Sequence, residues 1–314
     1  MLKVCLVGVG GISGAHIPAW KTMEDAELVA LCDVRPEQME QYEDVKHYTD
    51  YNEMLEKETP DIVDICLPTY LHVEYAIKAM EQGIHVLCEK PISLHKEDVE
   101  RVYKVAEENH VKFMVAQVLR FWPEYELVKT VYENGKYGKL LSGSMTRLGR
   151  YPAWSWDNWM MDESRSGFVP FDLHIHDLDY MVYAFGKPEN VSCFRSKLPD
   201  QDYVNAIYRF DGFSITSEAS WYASPYPFSA KFRFQFENAV LSNESGKLMI
   251  YERGGETIDW SAKDVGEMGA IDLPQTDAYA NEIRYFTDCV KNDCAPDKVK
   301  AEELKTVIEI LQKM

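Results

Sequence analysis

The sequence predicts an α/β protein of two domains: a doubly wound parallel sheet, then an α/β domain with an open, mainly antiparallel sheet. Three observations predict this. Apolar runs alternate with amphipathic helices up to about residue 118, a glycine-rich turn follows the first run, and later segments alternate apolar and polar residues one by one. With 314 residues, the chain is long enough for two hydrophobic cores.

The first domain is expected over residues 1–118. Its short apolar runs are typical of buried parallel strands, and the stretches between them place apolar residues on one helical face. The predicted strands are 4–8, 28–33, 62–67, 85–88 and 113–118. The predicted helices carry Val73, Ile77 and Met80, then Val99, Val102 and Ala106.

The second domain is expected over residues 119–299. Residues 213–221 and 231–237 alternate apolar with polar side chains, and Asp211-Gly212 precedes the first of these runs as a hairpin turn. Two apolar helical stripes close the chain, one over 279–290 and one over 304–311. The last helix, about 300–314, is expected to pack back on the first domain.

Composition excludes several classes of partner and indicates a cytoplasmic protein. The net charge is −19, whereas nucleic acids and anionic membranes require basic surfaces. No apolar run is long enough to span a membrane, and the first residues read as a strand rather than a signal peptide. The seven cysteines contain no CxxC pair and four lie in apolar runs, which indicates buried reduced thiols.

A glycine-rich turn follows the first strand and opens a helix. Gly8, Gly10 and Ser13 occupy the positions of the GxGxxG dinucleotide motif, with serine in the third place. Gly8 permits a tight turn, Gly10 lets the backbone approach a pyrophosphate, and Ser13 is small enough for strand–helix packing. The helix N-terminus then favours phosphate. The predicted cofactor contacts are Gly8, Gly10, Gly11, Ile12 and Ser13; a structural glycine turn is the alternative.

The carboxyl ends of the next strands supply further cofactor candidates. Asp33 can accept hydrogen bonds from ribose hydroxyls and would repel a 2′-phosphate, which favours NAD. Arg35 could accept that phosphate and leaves NADP open. At the end of the third strand, the predicted contacts are Leu67, Pro68, Thr69 and His72. For His72 the alternative is a helix N-terminal residue without a special role.

The next strand ends at Glu89, Lys90 and Pro91. A lysine at the carboxyl end of a parallel strand points into the crevice that holds the cofactor. The Lys90–Pro91 bond is a candidate for a cis peptide. The alternative is a surface lysine paired with Glu89.

Asp172 and His176 are four residues apart and would share one face of an α-helix, which Asp179 extends. A histidine oriented by carboxylates is a good general base near neutral pH. The alternatives are a helix N-terminal aspartate with a core histidine, or a metal site that also uses His174 and Asp177. Because His174 and His176 lie on different helical faces, we predict no metal.

Three tryptophans, Trp154, Trp156 and Trp159, lie within six residues. Their rings could offer apolar faces to a sugar or hold a lid shut, and equally they could be core or subunit contacts. Trp159 is our candidate for a substrate contact.

In this order, the motifs resemble those of the Gfo/Idh/MocA oxidoreductase family over essentially the whole chain. They are the glycine turn, Pro68-Thr69 with His72, Glu89-Lys90-Pro91, Arg120-Phe121-Trp122-Pro123, and the segment 166–179. The resemblance implies an NAD-binding Rossmann domain and a substrate-binding domain whose sheet serves a homodimer or homotetramer. It departs at Phe168, where the family often has a second glycine.

The resemblance also implies the chemistry. It makes Lys90, Asp172 and His176 the catalytic set, which would contact the substrate. His176 takes the hydroxyl proton, Lys90 stabilises the same oxygen, and Asp172 orients this pair or anchors a neighbouring hydroxyl. It adds Glu89, Lys90 and Arg120 to the cofactor contacts. The expected activity is hydride transfer between NAD, or NADP, and a secondary alcohol of a sugar, inositol or related polyol.

Two other functions stay open at this point. One is an NAD-dependent glycosidase or lyase that oxidises a sugar transiently and then returns the hydride. The other is a non-catalytic NAD-binding regulator, which would have no need of a general base.

Overall fold

The structure is a computed structural model in which residues 1–255, 257–260 and 277–314 are described. The described residues divide into two compact units, 1–118 with 277–305, and those between 119 and 260 with 306–314. The first segment of the first unit therefore ends at Val118, the predicted boundary, and a second segment from later in the chain joins it. Residues 277–299, which the sequence analysis placed in the second domain, belong to the first unit, and this boundary was wrong.

Six strands of the described chain form the sheet of the first unit. They are β1 (Leu2–Val7), β2 (Ala26–Cys32), β3 (Lys46–Tyr48), β4 (Ile62–Ile65), β5 (His85–Glu89) and β6 (Phe113–Ala116). Their order is β3-β2-β1-β4-β5-β6, and every ladder is parallel. The helices that alternate with them are α1 (Ser13–Lys21), α2 (Tyr51–Glu58), α3 (His72–Met80) and α4 (Lys96–Glu108). This is the predicted doubly wound fold.

The central strands are continuous apolar runs because helices cover both faces of a parallel sheet. All four residues of β4 and of β6 are buried. The sequence analysis missed β3, whose three residues are exposed or only half-buried at the sheet edge. Without a buried face, such a strand has no apolar pattern to detect.

Eight strands of the described chain form the sheet of the second unit. They are β7 (Leu140–Arg150), β8 (Asn190–Leu198), β9 (Gln201–Phe210), β10 (Phe213–Tyr222), β11 (Ser229–Phe236), β12 (Ala239–Ser242), β13 (Met249–Glu252) and β14 (Thr257–Asp259). Their order is β14-β13-β12-β11-β7-β10-β9-β8. The β7–β10 ladder is parallel and the others are antiparallel, with Asp211-Gly212 joining β9 to β10 as predicted.

The helices of the second unit are α5 (Pro123–Asn134), α6 (Glu163–Ser166) and α7 (Ile175–Phe185). Alternate residues of β9 are buried, as expected for a sheet with one packed face. Aromatic rings from α7 and from the strands meet in this core, among them Tyr180, Phe185 and Phe234. Strand β8 instead exposes Phe194 and Leu198. The homodimer or homotetramer stays a prediction.

Two helices close the chain, α8 (Ala278–Lys291) and α9 (Ala301–Leu311). The predicted stripe on α8 is buried at Tyr279, Ile283 and Phe286, and this helix packs on α1. The Tyr279 ring lies 5.7 Å from the His16 ring. This packing explains why residues 277–299 belong to the first unit, since a stripe predicts burial without naming the surface it covers. The division between units falls within α9.

Among the described helices, none is long and apolar enough to cross a membrane. All cysteines are free thiols: Cys193 and Cys294 are exposed, and the others are buried as predicted.

Candidate functional site

The predicted cofactor residues of the first unit gather along one edge of its sheet. The neighbouring strands β2, β1, β4 and β5 all run in the same direction, so their carboxyl ends lie together. Those ends carry Asp33, Gly8, the segment 67–69 and Lys90. The strand order reverses between β1 and β4, which is where doubly wound folds bind their ligands.

The turn after β1 requires glycine at its first position and leaves space at its second. Gly8 has φ +93°, and a Cβ there would lie 2.6 Å from the Cys66 carbonyl oxygen. A Cβ on Gly10 would meet no heavy atom within 4 Å. The Ser13 hydroxyl donates to the Gly10 carbonyl at 2.7 Å. Ser13 therefore holds the turn as well as being small, and the space beside Gly10 suits a pyrophosphate.

The N-terminus of α1 has the character of an anion site. Ile12 is its N-cap and makes no side-chain capping hydrogen bond, and the first turn carries no acidic residue. Without a side-chain acceptor at the N-cap and with the positive end of the helix dipole beside it, this end favours an anionic group. The turn, the space and the helix end together fit a dinucleotide, with Gly11 and Ile12 linking Gly10 to the helix.

Asp33 and Arg35 form one ion pair at the end of β2. The buried Asp33 carboxylate accepts hydrogen bonds from the Val9 N–H at 2.8 Å and from the Arg35 N–H at 2.9 Å. The Arg35 guanidinium adds two more, from Nε at 3.0 Å and from Nη2 at 3.1 Å. The acidic residue is thus tied to the glycine turn, and a ribose that binds it must share or displace the guanidinium.

His72 is fully enclosed at the start of α3. Its Nδ1 lies 2.7 Å from the Pro91 carbonyl oxygen and its Nε2 lies 2.6 Å from the Leu67 carbonyl oxygen. Burial lowers the pKa of this imidazole. The ring braces the loops after β4 and β5 against each other, beside Pro68 and the buried Thr69. Its predicted contact with the cofactor stays a prediction.

A buried network that the sequence analysis missed lies behind Lys90. His16 of α1 places Nδ1 2.8 Å from Asp64 Oδ2 and Nε2 3.0 Å from Glu89 Oε1. The other oxygen of Glu89 accepts the Lys90 backbone N–H at 2.9 Å. The predicted cis bond is present between Lys90, which is half-buried, and Pro91. The imidazole therefore fixes the carboxylate that holds the backbone of the candidate catalytic lysine.

The charges in this network follow from burial and pairing. Burial alone would lower the pKa of His16, but the charge of Asp64 raises it well above the usual value. Both ring nitrogens face carboxylates, as expected for an imidazolium. Burial would raise the pKa of Glu89, but the hydrogen bond and charge of His16 lower it. On α8, burial first and the charge of Glu89 second raise the pKa of Glu282 well above its usual range. In the sequence, the available signal for this network was Asp64, a carboxylate inside the apolar run of β4.

The ligand atoms of His16, Asp64 and Cys66 lie within 4.8 Å of one another, the spacing of a metal site. Both nitrogens of His16 already face carboxylates, and the Trp20 indole N–H donates to Asp64 at 2.7 Å. Burial raises the pKa of the Cys66 thiol to about 12, so it is not a thiolate. We therefore interpret the cluster as a hydrogen-bond network.

In the second unit, Asp172 and His176 lie across a change of helix type. Asp172 belongs to a π-helical turn, Pro170–His174, and His176 to α7. The regular α-helix assumed for these residues was therefore wrong, because a π turn bonds residue i to i+5 and re-aims the side chains. Both side chains are half-buried. Such turns are frequent at functional sites.

The acidic neighbours of this pair are held by arginines. The buried Arg120 donates to Asp179 from Nη2 at 2.6 Å and from Nε at 2.8 Å. Its guanidinium lies 4.8 Å from the Tyr183 ring, and its predicted contact with the cofactor stays a prediction. Arg147 donates to Asp177 at 2.8 Å. With their charge neutralised in this way, the two aspartates are poor candidates for a metal site.

His174 belongs to the core of the second unit. Its Nε2 lies 2.5 Å from the Tyr208 hydroxyl, and its Nδ1 lies 3.4 Å from the Ser217 hydroxyl. Burial, and next the charge of Arg147, lower its pKa to about 3. This histidine is neutral and structural.

The three tryptophans take different positions. Trp159 is partly buried and packs on the core cluster that contains Met160 and Val169. Trp154 is 64% exposed and Trp156 is 40% exposed. The core interpretation therefore applies to Trp159, and the substrate contact predicted for it stays a prediction.

Comparison with known proteins decides the family. Residues 2–117 match the model described as "Oxidoreductase family, NAD-binding Rossmann fold", and residues 125–242 match the GFO/IDH/MocA C-terminal domain. The chain belongs to the GFO/IDH/MocA family. The resemblance inferred from the motifs is thereby confirmed, and with it the α/β fold class.

Individual relatives are distant. The chain is 29% identical over 60% of its length to D-glucoside 3-dehydrogenase of Escherichia coli K12, covering 55% of that protein. It is 31% identical over 60% of its length to 2,7-anhydro-N-acetylneuraminate hydratase of Mediterraneibacter gnavus, covering 50% of that protein. The chain thus spans about half the length of these curated relatives. Levoglucosan dehydrogenase, solved with NADH and levoglucosan, shares the fold at a TM-score of 0.82 and 20% identity, covering 99% of this chain and 95% of that one.

Proposed function

We propose that this GFO/IDH/MocA protein transfers a hydride between NAD and a secondary alcohol of a sugar, inositol or related polyol. The observation that carries the proposal is the edge of the first sheet, where the glycine turn, Asp33 and Lys90 lie together. A dinucleotide turn alone would serve a regulator equally well. At the same edge, the backbone of Lys90 is held through Glu89 and His16, and a lysine positioned in this way can take part in catalysis.

The roles of the residues follow from their chemistry. His176 accepts the hydroxyl proton, since an imidazole suits proton transfer near neutral pH. Lys90 stabilises the negative charge that develops on the alcohol oxygen. Asp172 orients the reacting group. Bound NAD supplies the hydride acceptor, and this chain binds its phosphates at residues 8–13 and its ribose at Asp33.

Lys90→Met tests the proposal most directly. We expect turnover with the responsive substrate to fall about 10²–10⁴-fold, the usual contribution of a positioned acid–base group. NAD affinity, measured by calorimetry, should change little. The assay follows reduced nicotinamide absorbance with a panel of inositols, aldoses, sugar acids and glycosides.

The matched control is Lys104→Met, which makes the same change on an exposed face of α4 and should leave the rate unchanged. His110→Ala, at an exposed position, is the control for a parallel His176→Ala variant. Near-normal turnover in Lys90→Met, with the control also normal, would remove Lys90 from the mechanism.

A second candidate is a redox-neutral lyase or hydratase that oxidises its sugar transiently. The 2,7-anhydro-N-acetylneuraminate hydratase relative favours it, because a protein of that name has no net dehydrogenase reaction. Product formation from an anhydro sugar or glycoside without accumulation of reduced nicotinamide distinguishes this candidate.

A further inference from the structure

The C-terminal end of α8 places two cysteines against each other. The helix ends at Lys291 with Asn292 as its C-cap, and Asp293 follows with φ +51°. The Cys294 N–H then donates to the Cys289 carbonyl at 3.0 Å, and the Asp293 N–H to the Val290 carbonyl at 3.4 Å. These two bonds define a Schellman motif, in which the first and last residues of the closing turn bring their side chains together.

Here both of those residues are cysteines, and the Cys289 thiol donates to the carbonyl of Ala295, the residue after Cys294, at 3.8 Å. Cys294 is exposed, whereas Cys289 is 3% exposed. The Cys294 thiol can therefore react with a reagent in solvent, whereas the Cys289 thiol is enclosed by the protein. Cys193 is a natural comparison, because it is also exposed but its partner across the β8–β9 ladder is Ala206.

We propose that Cys289 and Cys294 form a reversible intramolecular disulfide by exchange with a low-molecular-weight disulfide such as oxidised glutathione. This redox modification site does not depend on the reaction that the protein catalyses. The backbone motif supplies the proximity, so only the side chains have to reorient.

The exchange proceeds in two balanced steps. The Cys294 thiolate attacks the glutathione disulfide, forming a mixed disulfide and releasing one glutathione thiolate. The Cys289 thiolate then attacks the sulfur of Cys294 and releases the second. The two protein protons pass to the two glutathione thiolates, so one disulfide is reduced as one is formed. Cys294 attacks first because it is exposed, whereas burial raises the pKa of the enclosed Cys289 thiol to about 11.

The disulfide would fix the C-terminal end of α8, the helix that carries Tyr279 and Glu282. Tyr279 contacts the His16 ring from its place on α8, and Asp293 pairs with Lys112 at 2.7 Å beside the cysteines. The oxidised protein should resist fraying at this helix end.

The test uses the full-length wild-type protein equilibrated in glutathione buffers, quenched with acid, alkylated in denaturant and digested with trypsin. Cleavage at Arg284, Lys291 and Lys298 separates the two cysteines, so the bond links peptides 285–291 and 292–298. We expect this linked pair in mass spectra, and a glutathione adduct at Cys193.

Dilution distinguishes the two products. At a fixed ratio of reduced to oxidised glutathione, tenfold dilution should raise the ratio of linked to reduced protein about tenfold, because two thiols are released. The adduct at Cys193 releases one thiol and should not change.

The Cys294→Ser variant, at an exposed position, should leave Cys289 reduced throughout. Cys289→Ala should convert Cys294 to a stable glutathione adduct. The proposal is overturned if wild-type Cys294 carries a dilution-independent adduct while Cys289 is alkylated, or if neither cysteine reacts while Cys193 does.

Discussion

At the scale of single residues, the carboxylate of Asp33 is the group that we expect to influence the choice of cofactor. All four of its acceptor positions are used, one by Val9 and three by Arg35. The sequence presented these residues as competing signals, the acid for NAD and the arginine for NADP. The structure joins them in one ion pair. If Asp33 binds the ribose as proposed, the guanidinium would compete with the ribose hydroxyls for the carboxylate and would offer a positive charge to a 2′-phosphate.

Arg35→Ala should therefore sharpen the preference for NAD. Removing the guanidinium frees two acceptor positions for ribose hydroxyls and deletes the positive charge that offsets repulsion between Asp33 and a phosphate. We expect the ratio of NAD to NADP affinity to rise about tenfold, equivalent to about 1.4 kcal/mol. Calorimetric titration with each cofactor measures it.

Arg101→Ala, an exposed arginine on α4, controls for the loss of one positive charge in this acidic protein. An unchanged affinity ratio in Arg35→Ala would mean that the guanidinium leaves the cofactor site on binding and contributes nothing to selection.

At the scale of elements, the segment before α7 departs most from regular structure. Gly167 has φ +69°, and a Cβ there would lie 2.5 Å from the Phe171 ring. Phe168 follows with φ +59°, a left-handed backbone that costs a non-glycine residue about 1–2 kcal/mol. Its ring lies 6.0 Å from that of Trp221. The residue that departs from the family pattern thus takes a conformation that suits glycine, and the π turn follows directly.

Gly167→Ala should destabilise the second unit strongly. The left-handed backbone costs about 1–2 kcal/mol, and the clash with Phe171 adds about 1–3 kcal/mol as overpacking. Gly135→Ala is the matched control, because Gly135 is also left-handed, with φ +63°, but a Cβ there meets nothing within 4 Å. Urea denaturation followed by tryptophan fluorescence measures both variants. Equal losses of unfolding free energy would show that Phe171 moves aside without cost.

Prediction of the elements succeeded where burial leaves an apolar pattern, either a continuous run or a helical stripe. Strands β1, β2, β4, β5 and β6 and helices α3 and α4 were found from apolar patterns, as was the β9–β10 hairpin. The sequence analysis did not predict β8, whose residues are almost all exposed and so show no alternation. The π-helical turn likewise leaves no apolar pattern in the sequence, because it depends on local backbone strain rather than on apolar spacing.

Candidate site residues were predicted where chemistry is local in sequence, and their roles stay predictions. Residues 8–13, Asp33 and Lys90 were predicted because strand ends and glycine turns carry their own signals. The contacts of His72 with two loops were not predicted. The hydrogen bond between His16 and Glu89, which are 73 residues apart in sequence, was not predicted either. Such pairings depend on which strands become neighbours, and one sequence does not specify partners at that distance.

At the scale of the whole molecule, histidines shielded from solvent contribute to the response to mild acid. Burial lowers the pKa of the half-buried His85 and of the fully buried His174, for His174 to about 3. A lowered histidine pKa means that the unfolded chain binds the proton first, so stability falls as pH drops below about 6.5. His16 acts oppositely, because its raised pKa gives stability that is fully present below about 6.5 and is lost only as pH rises through its folded value.

His174→Gln isolates one of these contributions. Glutamine can still hydrogen-bond Tyr208 but does not titrate, so the variant should lose less stability than the wild type between pH 7 and pH 5. With a folded pKa of about 3, the difference should be about 2 kcal/mol, since each pH unit below about 6.5 costs about 1.4 kcal/mol. Urea midpoints for both proteins at the two pH values measure it. If both fall equally, His174 is not neutral in the folded protein, and its bond to Tyr208 must then be made by an imidazolium, which the nearby Arg147 opposes.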